Sequence, residues 1–212
     1  MKIYIIGGSG AGRSLLELAN RERICIDGIF DSRIPTGKKV GTTYCIGKLS
    51  EAYFYNHHGA RFLTCIGSVD SIKRRKSIID SFKISKMKFI SYVSKTSIIE
   101  VPETHVGSGS IIFDHVFVGY EARIDEFVIL NTQSYIGHET SIGAFSIIGP
   151  SACIAGNSTI GSFVYVGANS TIRDHINVGD NIIIGAGANV TKSLMEPGIY
   201  IGNPARIMHK KL

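Results

Sequence analysis

Two adjacent side chains in the middle of the sequence have the clearest chemical capability: His138 and Glu139. An imidazole titrates near neutral pH and can take a proton from an attacking nucleophile, and a neighbouring carboxylate favours the imidazolium that forms. A second constellation lies at the front. An apolar run over residues 2–6 leads into Gly7, Gly8, Ser9, Gly10, Ala11, Gly12 and Arg13. Backbone N–H groups of such a loop, with a helix dipole behind them, hold a phosphate. The four cysteines (Cys25, Cys45, Cys65 and Cys153) form no C-x-x-C pair and read as reduced, mostly buried thiols. Cys153 has no adjacent base to make it a nucleophile and directly precedes Ile154, which points to packing. His57 and His58 sit in a polar loop without the ligand spacing of a metal site, so no metal is expected.

A repeat positions His138. From Val106, every sixth residue through Ile112, Val118, Ile124, Leu130, Ile136 and onward to Val190 is Val, Ile or Leu. An α-helix cannot present this stripe, because six residues advance 600° and rotate the apolar face by about 120° per step. A small residue follows most of these aliphatics, as at Gly107, Gly119, Gly137 and Gly143, and a small or β-branched one comes four after. This is the hexapeptide pattern of a parallel β-helix, with three hexads to a triangular coil and five coils in the unbroken run. The hexad glycines are expected to supply the turns' positive φ. His115 and His175, three places past an aliphatic, fall on outward turns. Residues eighteen apart stack, so Gly156 is expected over His138, leaving a slot for a substrate beside the imidazole. The phase admits no long inserted loop between Val106 and Val190, so one prism face alone is an open wall and a second chain is needed to close a cleft.

The front segment reads as a βαβ unit: a strand to Ile6, a helix carrying Leu15, Leu16 and Leu18, and a second strand over 24–30 ending at Asp31. A third strand over 62–66 ends at Gly67, a helix spans about 71–81, and a short strand spans 88–93. The expected architecture is therefore α/β followed by β, with a small Rossmann-like domain over 1–94 and a β-helix over 95–212. About ninety residues precede the repeat. That is room for half of a dinucleotide fold, which suits a mononucleotide. A dehydrogenase placing Asp31 on a ribose, and a loop whose glycines only tighten a turn, are the alternatives.

The net charge is +6. The one dense basic run, Lys73, Arg74, Arg75 and Lys76, falls on the predicted helix and reads as a solvated face, and no nucleic-acid motif accompanies it. No apolar run reaches a membrane span and none resembles a signal peptide, so a cytoplasmic protein is expected.

A glycine-rich α/β segment followed directly by hexapeptide repeats resembles the bacterial sugar O- and N-acetyltransferases related to sialic-acid O-acetyltransferase and UDP-4-amino-sugar N-acetyltransferase. The resemblance covers nearly the whole chain and is most specific at L-N-T-Q-S-Y-I-G-H-E-T-S-I-G-A-F, residues 130–145. It implies a left-handed β-helix and a homotrimer with acetyl-CoA bound between subunits. It implies His138 as proton acceptor, Glu139 raising its basicity, and Asn131 as a third catalytic-site residue. The sugar-nucleotide contacts would fall on Ser9, Gly10, Ala11, Asp31, Ser32 and Gly67, and the coenzyme contacts on Ile147, Gly156, Ala168 and Ala186. The closing I-G-N-P-A segment, residues 201–205, is also typical. Two positions depart from the family: Ser32 replaces a second aspartate, and Ile147 replaces a histidine that can touch the coenzyme. The function implied is N-acetylation of a nucleotide-linked amino sugar, such as a 4-amino-4,6-dideoxy sugar. The alternatives are O-acetylation of a sialic-acid-type sugar and a non-catalytic scaffold. Arg206, His209, Lys210, Lys211 and Lys192 are candidates for the coenzyme phosphates.

Overall fold

The computed structural model describes residues 1–56, 59–102 and 104–208; His57, His58, His209, Lys210 and Lys211 lie outside them. The chain begins with a small open sheet. Strand β1 (Lys2–Ile6) is flanked by β2 (Gly28–Phe30) and, further along the chain, by the edge strand β5 (Ala60–Thr64), both parallel to it. Helix α1 (Ala11–Arg21) makes the crossover from β1 to β2 and buries Leu15, Leu16, Leu18 and Ala19. Two further strands, β3 (Lys39–Val40) and β4 (Thr43–Gly47), form a hairpin, and β4 extends the sheet beyond β2.

The second strand is shorter than the expected 24–30. Ile24 N–H instead bonds Ala19 O to close the helix, Arg23 takes φ 63°, and Cys25 is exposed. The predicted helix over 71–81 is a 3₁₀ turn at Val69–Arg74 followed by α2 (Arg75–Asp80). The apolar stretch 88–93 is not one strand. Phe89 bridges to Phe62 on the front sheet, and Tyr92–Val93 already pairs with Ile111–Ile112 of the β-helix.

The repeat forms a three-sided parallel β-helix. The first face stacks Ile98–Ile99, Phe117–Val118, Tyr135–Ile136, Cys153–Ile154, Thr171–Ile172 and Asn189–Val190. The second runs from His105–Val106 to Asn177–Val178, and the third from Tyr92–Val93 to Ile199–Ile201. Neighbouring strands pair eighteen residues apart, as Ile136↔Ile154 does. The fourteen hexad aliphatics from Ile112 to Val190 are all 2% exposed or less and form one core. Buried hydroxyls four places on would otherwise be stranded there. Ser110, Ser146 and Ser158 donate to the carbonyls of Asp125, Gly161 and Arg173 in the coil above.

The hexad glycines do not carry the positive φ. That conformation falls two residues later, on twelve successive non-glycine corners from His115 through Glu139 to Asn181, with φ between 54° and 63°. From Phe127 onward their N–H groups bond a carbonyl of the coil below, as Glu139 N–H does to Tyr120 O at 2.9 Å, which offsets the strain of this region. The glycines are required by close approach instead. A Cβ at Gly119 would lie 2.6 Å from His138 N, and one at Gly137 would lie 2.4 Å from Gly156 N.

The front sheet and helix pack on the third face. Ile5, Leu15, Ile29 and Leu63 share one buried cluster with Tyr92, Ile111, Ile129 and Ile147. Arg21 Nη2 clamps Asp114 at 2.5 and 2.7 Å. Arg75 does not lie on a solvated face. It is fully buried at this joint, with Nε donating to Ile66 O at 2.7 Å and Nη1 to Phe127 O. Burial pushes its guanidinium down to about 10.

Candidate active site

His138 lies on the corner between the first and second faces, in a seat made by the coils above and below. Its ring stacks on Tyr120, eighteen residues earlier, with centroids 5.2 Å apart and planes 7° from parallel. A Cβ on Gly156, eighteen residues later, would fall 2.7 Å from Nε2 and 2.8 Å from Cε1. The missing side chain therefore leaves no open slot beside His138; the imidazole itself fills that space. Nδ1 meets Glu139 Oε2 at 3.1 Å and Asn157 Nδ2 at 3.4 Å. One ring nitrogen cannot donate and accept at once. The shorter contact, to a carboxylate, assigns the Nδ1 proton to Glu139 and leaves the Nε2 lone pair free. The His138 side chain is 42% exposed, so a substrate can reach it.

The front loop builds a different kind of site. A cleft of about 460 Å³ is lined by Ser9, Gly10, Ala11, Asp31, Ser32 and Gly67, together with Arg33, Ser68, Ser71 and the apolar Leu49, Ile66 and Ile78. All six sugar-nucleotide residues expected from the resemblance thus share one cavity. Asp31 is almost fully buried and braces the loop. Its Oδ2 accepts from Gly8 N–H and Ser9 Oγ, both at 2.9 Å, and its Oδ1 from Arg33 N–H at 2.7 Å. Burial works against the charge, but these hydrogen bonds and the nearby Arg33 guanidinium outweigh it and hold the carboxyl below its ordinary value. Arg33 also donates to Ser9 Oγ and is a cation at the wall of this cleft. At the Gly67 end, a Cβ would lie 2.8 Å from Ile147 Cδ1 and 3.0 Å from Arg75 Nε, so the β-helix and the buried arginine form the floor there.

The other expected residues separate by corner. Asn131, Ala168 and Ala186 lie on the corner between the third and first faces, where Asn131 Nδ2 donates to Ile148 O at 2.8 Å. Ile147 is 4% exposed on the third face, under the front sheet. Lys192 is exposed on the His138 corner, three coils above it, and Arg206 is exposed beyond the end of the third face. In a triangular prism, the corner between two faces lies opposite the remaining face. The imidazole and the cleft, each accessible, therefore stand on opposite sides of the same chain. Cys65 is buried, which pushes its thiol up to about 12, and Cys153 is half-buried on the first face, so neither is an activated nucleophile. Among the described residues, no group of histidine, cysteine and carboxylate side chains could hold a metal ion, and no helix is long and apolar enough to cross a membrane.

Solved structures match this chain nearly end to end. Perosamine N-acetyltransferase from Caulobacter crescentus, a histidine variant in complex with CoA and GDP-perosamine, aligns at a TM-score of 0.87 with 21% identity, over 99% of this chain and 98% of that one. The acetyltransferase domain of PglB from Neisseria gonorrhoeae, in complex with acetyl coenzyme A, aligns at 0.80 with 22% identity over 98% of each chain. WeeI from Acinetobacter baumannii aligns at 0.83 with 22% identity, over 98% of this chain and all of its own. This chain has their fold. No family model matches the sequence, and no curated protein matches it either.

Sequence reasoning missed Tyr120, Asn157 and Arg33. The first two were accessible through the period that located Gly156, since they stand eighteen residues before and nineteen after His138. Arg33 carries no comparable signal, because its place at the cleft depends on how the loop after β2 turns.

Proposed function

We propose that this protein is an acetyl-CoA-dependent N-acetyltransferase acting on a nucleotide-linked amino sugar, of the 4-amino-4,6-dideoxy class. The observation that carries the reading is an imidazole with a free Nε2 and a cleft walled by the glycine loop and Arg33, held on opposite sides of one chain. A C3 trimer of left-handed β-helices brings the cleft of one copy to the His138 corner of the next. The coenzyme then lies in the groove between that corner, with Gly156 and Lys192, and a neighbouring copy's corner carrying Asn131, Ala168 and Ala186. The likeness in fold to an N-acetyltransferase complexed with CoA and GDP-perosamine supports the same assignment of ligands.

In the cleft of the Rossmann-like front unit, the N–H groups of residues 9–11 at the start of α1 and the Arg33 guanidinium take the diphosphate, while Asp31 keeps the loop in shape. The sugar leaves the cleft over Gly67. Its neutral amine attacks the thioester carbonyl, forming the C–N bond, and Nε2 of His138 takes the amine proton. The C–S bond then breaks and the coenzyme leaves as a thiolate, which takes up that proton. Glu139 accepts from Nδ1–H throughout and stabilises the transient imidazolium. The thioester is already activated, so no acyl-enzyme is needed.

The test offers acetyl-CoA with UDP-, dTDP- and GDP-linked 4-amino sugars and their hydroxy counterparts, and reads thiol release. We expect turnover with an amino sugar and a fall in kcat of roughly 10²–10⁴-fold in His138→Ala. Near-normal turnover in that variant, or preference for the hydroxy sugars, overturns the reading.

A further inference from the structure

We infer that Tyr120 is a positioning residue for the His138 base, holding the plane of the imidazole and favouring its protonated form. This rests on the base assignment above. The ring of Tyr120 lies parallel beneath that of His138, within the roughly 6 Å over which an aromatic face attracts a cation. Gly156 closes the upper side, so the imidazole is held on both faces, and Glu139 fixes its edge. The backbone ties the same three coils together. Glu139 N–H bonds Tyr120 O and Asn157 N–H bonds His138 O, both at 2.9 Å, while Tyr120 N–H is fixed by Glu100 Oε2 at 2.8 Å. The charged groups on this corner are Glu139 on the ring's own turn, Glu121 beside Tyr120 in the coil below, Glu100 on the Tyr120 N–H and, in the coil above Gly156, Asp174, which is paired with Arg173 and His175. The tyrosine ring is therefore the surface against which the imidazolium forms when the amine gives up its proton. At 44% exposure, Tyr120 can be altered without opening the core.

The experiment follows the His138 imidazole by NMR titration of the intact protein, assigned by its loss in His138→Ala, in parallel with the acidic limb of kcat/KM. In Tyr120→Leu we expect the midpoint to fall by about half a pH unit, with the rate limb moving alongside and KM for acetyl-CoA unchanged. Tyr120→Phe, which keeps the ring, should restore both. A Tyr120→Leu midpoint equal to the parent's, or a Tyr120→Phe shift as large as that of Tyr120→Leu, overturns the proposal. The NMR midpoints decide Tyr120's role without reference to turnover. A parent rate limb that ignores the His138 midpoint strikes the base assignment alone.

Discussion

The loop after β1 and the corners of the β-helix both depend on glycine, but for different reasons. In the loop, Gly7 and Gly10 take φ of 91° and 55°, and Gly12 lies so close to the turn that a Cβ would come within 1.6 Å of Gly7 O. Conformation and contact are needed together, in a segment that occurs once. At twelve successive corners, left-handed backbone is held by residues such as Phe, Glu, Asn and His, with Gly109 and Gly187 taking it at the flanking corners, and the hexad glycines serve to let one coil rest on the next. A repeated inter-coil hydrogen bond can support strain that a single loop must leave to glycine. The front site is accordingly shaped by its backbone, whereas the rear site is shaped by what stacks above and below one side chain.

The sharpest way to break this contrast is Gly12→Ala. The added methyl meets backbone that cannot move aside, so we expect a loss of about 3 kcal/mol, seen as a fall in Tm of roughly 5–10 °C, along with lost nucleotide-sugar binding. Unchanged thermal unfolding would remove the contact argument. Gly156→Ala should act quite differently. Its methyl meets a side chain that can swing away, so stability should hold while the base is displaced, lowering kcat/KM by roughly ten- to a hundredfold. Equal activity in that variant would mean the imidazole's seat is immaterial.

The smallest expected effect lies at the joint between the two regions. The hydrogen bond from Arg21 holds the Asp114 carboxyl well below its usual range; partial burial opposes this, and Ser94 and Thr96 reinforce it. A carboxylate depressed in the folded state takes up protons first in the unfolded chain. Its contribution is complete above the unfolded value near 4 and declines as the pH falls further. Asp114→Asn should therefore lower Tm by a few degrees at pH 7 and flatten the acid side of the Tm–pH curve. A variant as acid-sensitive as its parent would assign the joint to apolar packing alone.

Much of this was legible in the residues, for identifiable reasons. The six-step aliphatics had to face inward because every third hexad returns to the same wall, which fixed the coil and placed Gly156 against His138. The glycine-rich turn after β1 was legible because closely spaced glycines between a strand and a helix mark a tight backbone turn. Arg75 was misread because a run of four basic residues gives no hint of which one faces the joint, and only one of them is buried. The β3–β4 hairpin was missed because β3 is only two residues long and gives β4 no partner that a pattern could reveal.

The sequence alone determined what repeats: the period, the inward set and the columns of stacked residues, since each follows from chain geometry within a single coil. Only the tertiary structure decided which side of the prism the front sheet covers. That choice depends on side chains far apart in sequence, Leu15 with Ile111 and Arg21 with Asp114, finding one surface. It also sets His138 and the cleft apart within the chain, because the covered face and the His138 corner are opposite features of a triangle.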